Sequence, residues 1–184
     1  MPPDEITDPR LKQRIARFKD LAFGEVACLD TLFPEHARKI AHVIGPAACE
    51  DPALRPAILE AENFHVAMIR ADKGKGASLH SHPTVKVFMP FSGKWTIYWG
   101  DDGEHKTRLG LHDTISVPAG IMRGFTCESE GEHLLLAINA NTPAPSNGRH
   151  RGWQMRNAEA TRSMPRGSLR RSRSDAGAML HAAV

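Results

Sequence analysis

Two histidines one residue apart, His80 and His82, stand inside a segment where apolar and polar residues alternate between Gly74 and Gly93. This alternation most restricts what the chain can fold into. Side chains along a strand repeat every two residues, so both imidazoles project from one face. Their Cα atoms then lie roughly 6.6 Å apart, close enough for two ring nitrogens to meet at one ion. A bare His-X-His pair is more often structural than ligating, so its surroundings decide its meaning.

Those surroundings read as β-structure. Residues 39–45, 64–71, 85–89, 94–100, 104–109 and 133–138 all carry strand patterns. Gly93, Asp101-Asp102-Gly103 and Pro118-Ala119-Gly120 supply turns between them. In residues 122–127 the period of two sets Arg123, Phe125 and Cys127 on one face. Lys86 and Phe88 share the side of His80 and His82 if the strand continues through Thr84. The alternative is that Pro83 bends the chain, Lys86 swings to the mouth, and only Arg123 faces inward. Trp95, Ile97 and Trp99 share a face that fits a core or an interface. Cys127 reads as a plain buried cysteine, with a thiol activated by Arg123 as the other option. His36, His42 and His133 read as structural or surface groups.

Helix is expected in three places. Asp8-Pro9 is an N-cap followed by proline, and Leu11, Ile15, Phe18 and Leu21 recur at helical spacing up to Gly24. That helix would pack on the β-structure or on a partner subunit. Residues 56–61 suit a short helix, and residues 153–160 another that docks through Trp153.

The histidine segment and residues 113–125 together resemble the paired motifs of the cupin family. The first of these is a glycine, a His-X-His pair, a glutamate and a closing glycine. The second is an aspartate, a Pro-X-Gly turn, a histidine and an asparagine. Gly74, His80, His82 and Gly93 fill the first motif, and Asp113 with Pro118-Ala119-Gly120 fills much of the second. The resemblance covers roughly residues 60–140 and implies an all-β double-stranded β-helix (cupin or jelly-roll, RmlC-like) barrel. An N-terminal helical segment and connector would occupy residues 1–38, the barrel 39–141, and a linker with a basic tail 142–184. It also implies a metal held by three histidines and a glutamate, and frequent homodimers.

The chemistry departs from that pattern. Lys86 stands at the glutamate position and Arg123 at the third histidine position, with His112 before Asp113 and Cys127 at the asparagine. Lysine and arginine only donate hydrogen bonds, and arginine stays protonated. Each would repel a dication about 4 Å away by several kcal/mol even at an effective dielectric of 20. The expectation is therefore a barrel with an altered metal site. Its anionic organic ligand would be bound by Lys86 and Arg123, with Phe88, Phe125 and Cys127 alongside and His80 and His82 exchanging protons or hydrogen bonds. One alternative is a metal-dependent enzyme, similar to cupin dioxygenases or isomerases, in which His80 and His82 hold Fe(II), Mn(II) or Zn(II). Another is a regulatory or structural barrel dimer whose tail meets a partner.

Composition narrows the remaining classes. At 184 residues and 41% hydrophobic, the chain can bury one domain's core. No apolar run approaches membrane-spanning length, and no signal-peptide pattern is visible at the start. Three scattered cysteines, Cys28, Cys49 and Cys127, fit reduced thiols in a cytoplasm. The net charge of +3 hides an uneven distribution. Eight arginines against Glu159 and Asp175 give residues 149–184 a charge of +6, leaving −3 for the body. The tail lacks the interleaved aromatics of single-strand binders, so a solvated tail is expected rather than a nucleic-acid site.

Overall fold

The computed structural model describes residues 8–25, 28–45 and 54–140, together with the backbone of residues 154–155. Among the described residues, ten strands form two five-stranded sheets. The strands are β1 (Lys39–Ile44), β2 (Phe64–Ala71), β3 (Gly76–Ser81), β4 (Lys86–Pro90), β5 (Trp95–Trp99), β6 (His105–Leu109), β7 (Ile115–Val117), β8 (Arg123–Cys127), β9 (His133–Ala140) and β10 (Gln154–Met155). One sheet has the order β1-β2-β9-β4-β7 and the other β10-β3-β8-β5-β6, all paired antiparallel. Apart from the β1–β2 and β5–β6 pairs, successive strands switch sheets, as in a double-stranded β-helix, and the apolar faces meet inside. Phe88 of β4 lies 5.4 Å, ring to ring, from Phe125 of β8, and Trp95 of β5 packs 6.0 Å from the same ring.

The strand bounds follow the alternation closely, because a strand buried on one face must keep its period. β2 alternates Val66, Met68 and Arg70 with the more buried His65, Ala67, Ile69 and Ala71. β6 is largely exposed, as its polar content requires. In β3 a bulge between Ala77 and His80 changes the count. Three steps along β3 match two along β8, so Ala77 faces Phe125 and His80 faces Arg123.

Helix is scarcer than the periodicity suggests. Asp8 does cap the expected N-terminus, its carboxylate accepting from the Arg10 N–H, but α1 (Pro9–Lys12) lasts one turn. Leu11, Ile15 and Phe18 stay 54%, 41% and 48% exposed. A helix that buries no apolar face lacks the packing that offsets its nucleation cost. A 3-10 turn at Phe18–Asp20 follows instead, with the Arg70 guanidinium over the Phe18 and Phe23 rings.

No helix forms at 56–61 either. Ile58 is buried in a parallel bridge to Ile44, its N–H donating to the Val43 carbonyl. The short helix expected at 153–160 is likewise corrected: Gln154 and Met155 are strand, in register with Ser81 and His80. Adding a strand satisfies the unpaired edge of β3. Cys49 and the remainder of the expected linker and basic tail lie outside the described residues.

Two more 3-10 turns, Leu29–Leu32 and Pro34–His36, fasten the N-terminal segment to the barrel. Asp30 and Arg38, both nearly fully buried, form a two-pronged ion pair at 2.7 and 3.0 Å. Arg38 also donates to the carbonyls of His36 and Gly76. Asp30 accepts from the N–H and hydroxyl of Ser78 on β3. These bonds, which leave only Arg38 Nε of the two charged groups without a partner among the described residues, make a buried pair tolerable.

Candidate binding site inside the barrel

The strand registers divide the interior into rungs, because directly paired residues share a face. In the first sheet His65, Asn139, Lys86 and Val117 form one rung across β2, β9, β4 and β7. Below it lie Ala67, Ala137, Phe88 and Ile115, and then Ile69, Leu135 and Pro90. His42 on β1 pairs with Ala67. In the second sheet His80, Arg123 and Trp99 form a rung across β3, β8 and β5. Below it lie Ala77, Phe125 and Ile97, and then Cys127 and Trp95. Each sheet therefore carries one polar rung, with apolar rungs beneath it.

The structure brings Lys86, Arg123, His80 and His82 together. Lys86 is 6% exposed and Arg123 0%, so Lys86 does not turn out to the mouth. Pro83 does interrupt the strand, and β3 and β4 fall in different sheets, yet Lys86 still points in. Phe88 and Phe125 form the hydrophobic layer under the cations, and Cys127 lies one rung deeper in the core. Burial raises the Cys127 thiol above its usual range, and its sulfur bonds to the Ser129 carbonyl, the reverse of an activated thiol.

The electrostatics of this layer follow from burial. Lys86 is lowered to about 7, first by desolvation and then by the charge of Arg123. Desolvation lowers Arg123 to about 10, which leaves it a cation at neutral pH. His80 is lowered to about 3 by desolvation and by Lys86, so it is neutral. Its Nδ1 donates to the Ser78 carbonyl at 2.7 Å, which assigns the proton to that nitrogen and makes Nε2 the acceptor. His82 is driven down by the same causes, burial before Lys86. Arg123 donates from Nη1 to the Ile121 carbonyl at 3.0 Å, while its Nε and Nη2 have no hydrogen-bond partner among the described residues. Asp30 acts on Lys86 and His80 at longer range but is committed to Arg38.

Two polar members of the layer, His65 and Asn139, escape the motif comparison, as does His42 one rung below. His65 is buried, and its Nε2 lies 3.0 Å from Nδ1 of a buried His42, one of the two donating. Burial lowers both, His65 to about 3. Asn139 Oδ1 is buried without a partner among the described residues. The inward parity of β2, shared with Ala67 and Ile69, is a signal that would have found His65. His42, expected to be structural or superficial, is inside. Asp30 and Arg38 leave no local signal, since their pairing with Ser78 and Gly76 spans distant segments.

A dication does not fit this donor set. His80 has a suitable tautomer, but among the described residues no three histidine, cysteine or acidic side chains converge on one point. The two remaining motif positions carry cations.

No family model matches the sequence, and no curated protein matches it. Solved structures do. A cupin 2 conserved barrel domain protein from Rhodopseudomonas palustris is 13% identical, with 78% of this chain and 75% of that one covered and a TM-score of 0.47. An RmlC-like cupin from Shewanella frigidimarina is 15% identical, covering 69% and 89%, at 0.47. KdgF from a Halomonas species is 13% identical, covering 68% and 92%, also at 0.47. No helix among the described residues is long and apolar enough to cross a membrane. Strand order, register and the enclosed core give this chain a double-stranded β-helix fold built from two antiparallel sheets.

Proposed function

We propose that the barrel binds a small organic anion, with Arg123 and Lys86 as its counter-charges and neutral His80 and His82 as hydrogen-bond partners. One observation carries this reading. The Arg123 guanidinium is completely buried, and two of its three nitrogens lack a hydrogen-bond partner among the described residues. A buried cation without a counter-charge costs several kcal/mol. A planar carboxylate matches the guanidinium fork and removes that cost. Lys86, on the facing sheet, adds a second charge of the same sign with no carboxylate bonded to it among the described residues.

Calorimetry of untagged protein with small mono- and dicarboxylates and with inorganic phosphate tests the proposal. At least one carboxylate should bind, and Arg123→Met should weaken it by about tenfold or more, the loss expected for a charge-assisted bond. If the whole panel leaves the protein unchanged, or if purified protein holds a stoichiometric transition metal between His80 and His82, the reading is wrong.

A further inference from the structure

Lys86 is an unusual residue to enclose. Buried lysines normally meet a carboxylate, yet among the described residues no acidic group forms an ion pair with this one. The amine lies over the Phe88 ring at 5.3 Å. The charge acting most strongly on it is that of Arg123. The ring face favours the ammonium, but burial away from water and an adjacent cation outweigh it and are the two environments that keep an amine unprotonated and nucleophilic. Three neutral imidazoles, those of His65, His80 and His82, stand within electrostatic range of the amine. Lys86 belongs to the polar rung of one sheet and Arg123 to that of the other.

We propose that Lys86 is a nucleophile that forms a Schiff base with 2-oxo acids whose carboxylate is held by Arg123. This deepens the anion-binding reading and rests on it. In a 2-oxo acid the carbonyl carbon is bonded directly to the carboxylate carbon. A guanidinium that fixes the carboxylate therefore also fixes the electrophile, and effective concentration does the rest. The amine lone pair attacks that carbon, the C–N bond forms, and the carbonyl electrons move to oxygen. The two amine protons then leave with that oxygen as water, and the imine remains. The neutral imidazoles accept hydrogen bonds from the amine and the departing water rather than taking up its protons.

The test is reductive trapping of the full chain with glyoxylate, pyruvate or 2-oxoglutarate and cyanoborohydride, read by intact mass and peptide mapping. Cyanoborohydride gives a hydride to the imine carbon, and water gives a proton to the nitrogen. The expected product is one adduct on the peptide holding Lys86, heavier by the mass of the oxo acid less one oxygen. Lys86→Arg has no reactive amine, so it should lose the adduct. Lactate, which has no carbonyl, should stabilise the unaltered chain without trapping. If an oxo acid stabilises the protein but no adduct forms on Lys86, or if Lys86→Arg is labelled equally, the Schiff-base proposal fails and anion binding stands. If neither the oxo acids nor lactate shift the melting temperature and nothing is trapped, both fall.

Discussion

At the scale of single residues, the barrel places two cations where burial is nearly complete. Arg123 is the costlier of the two, because its guanidinium cannot shed its proton near neutral pH. Arg123→Met should therefore stabilise the ligand-free protein by about 1–4 kcal/mol, the range seen when buried charges give way to apolar side chains. Urea denaturation would show this as a raised midpoint.

Lys86 escapes part of the cost by releasing its proton, and that makes its effect depend on pH. Its value is about 7 in the folded protein and 10.5 as an ordinary lysine, so between these the unfolded chain binds the extra proton. The destabilisation is complete below pH 7 and disappears as pH rises to 10.5. Melting curves should show Lys86→Met more stable than the unaltered chain at pH 6, with the gap closing by pH 10. A constant gap would mean that Lys86 does not titrate in this range.

At the scale of elements, the N-terminal segment depends on a polar fastening rather than on a helix. The Asp30–Arg38 pair ties the Leu29–Leu32 turn to β3 through Ser78 and Gly76. Asp30→Ala would leave Arg38 buried and unpaired, and should cost about 3–5 kcal/mol in chemical denaturation. Gly76 shows how tightly β3 meets β8: a Cβ there would stand 1.8 Å from the Phe125 carbonyl oxygen. The β3 bulge is equally consequential, because without the extra residue His80 would face away from Arg123.

At the scale of the whole molecule, neutral buried histidines make the fold sensitive to acid. His65 and His80 stand at about 3 in the folded protein against 6.5 unfolded, and His42 and His82 are also lowered. The unfolded chain takes up protons below pH 6.5 while the folded chain does not, so stability is full above 6.5 and lost as pH falls toward 3. At pH 5 each of His65 and His80 should cost roughly 2 kcal/mol relative to pH 7. His65→Gln should make the fall in urea midpoint between those pH values shallower.

The proposed exchange of a metal site for an anion site has a test of its own. Lys86→Glu combined with Arg123→His would present three imidazoles and a carboxylate to one point, a donor set suited to Fe(II), Mn(II) or Zn(II). Titration should then show metal binding much tighter than in the unaltered chain. Unchanged affinity would mean that these side chains do not converge as the polar rungs imply.

The alternation around His80 and His82 was enough to show β-structure with both histidines on one face, because strand parity is a local property of the backbone; the barrel, and Lys86 and Arg123 at motif positions, were implied only by the resemblance of the two motifs. The fates of Leu11, Ile15 and Phe18 were not legible in the same way, since a helical period forms a helix only where something covers its apolar face. Nor were Asp30 with Arg38, His42 with His65, or Asn139 beside Lys86. Asp30 and Arg38 are held in place by Ser78 and Gly76, and the other pairings likewise join segments far apart in the chain, so only folding brings them within hydrogen-bonding or electrostatic reach.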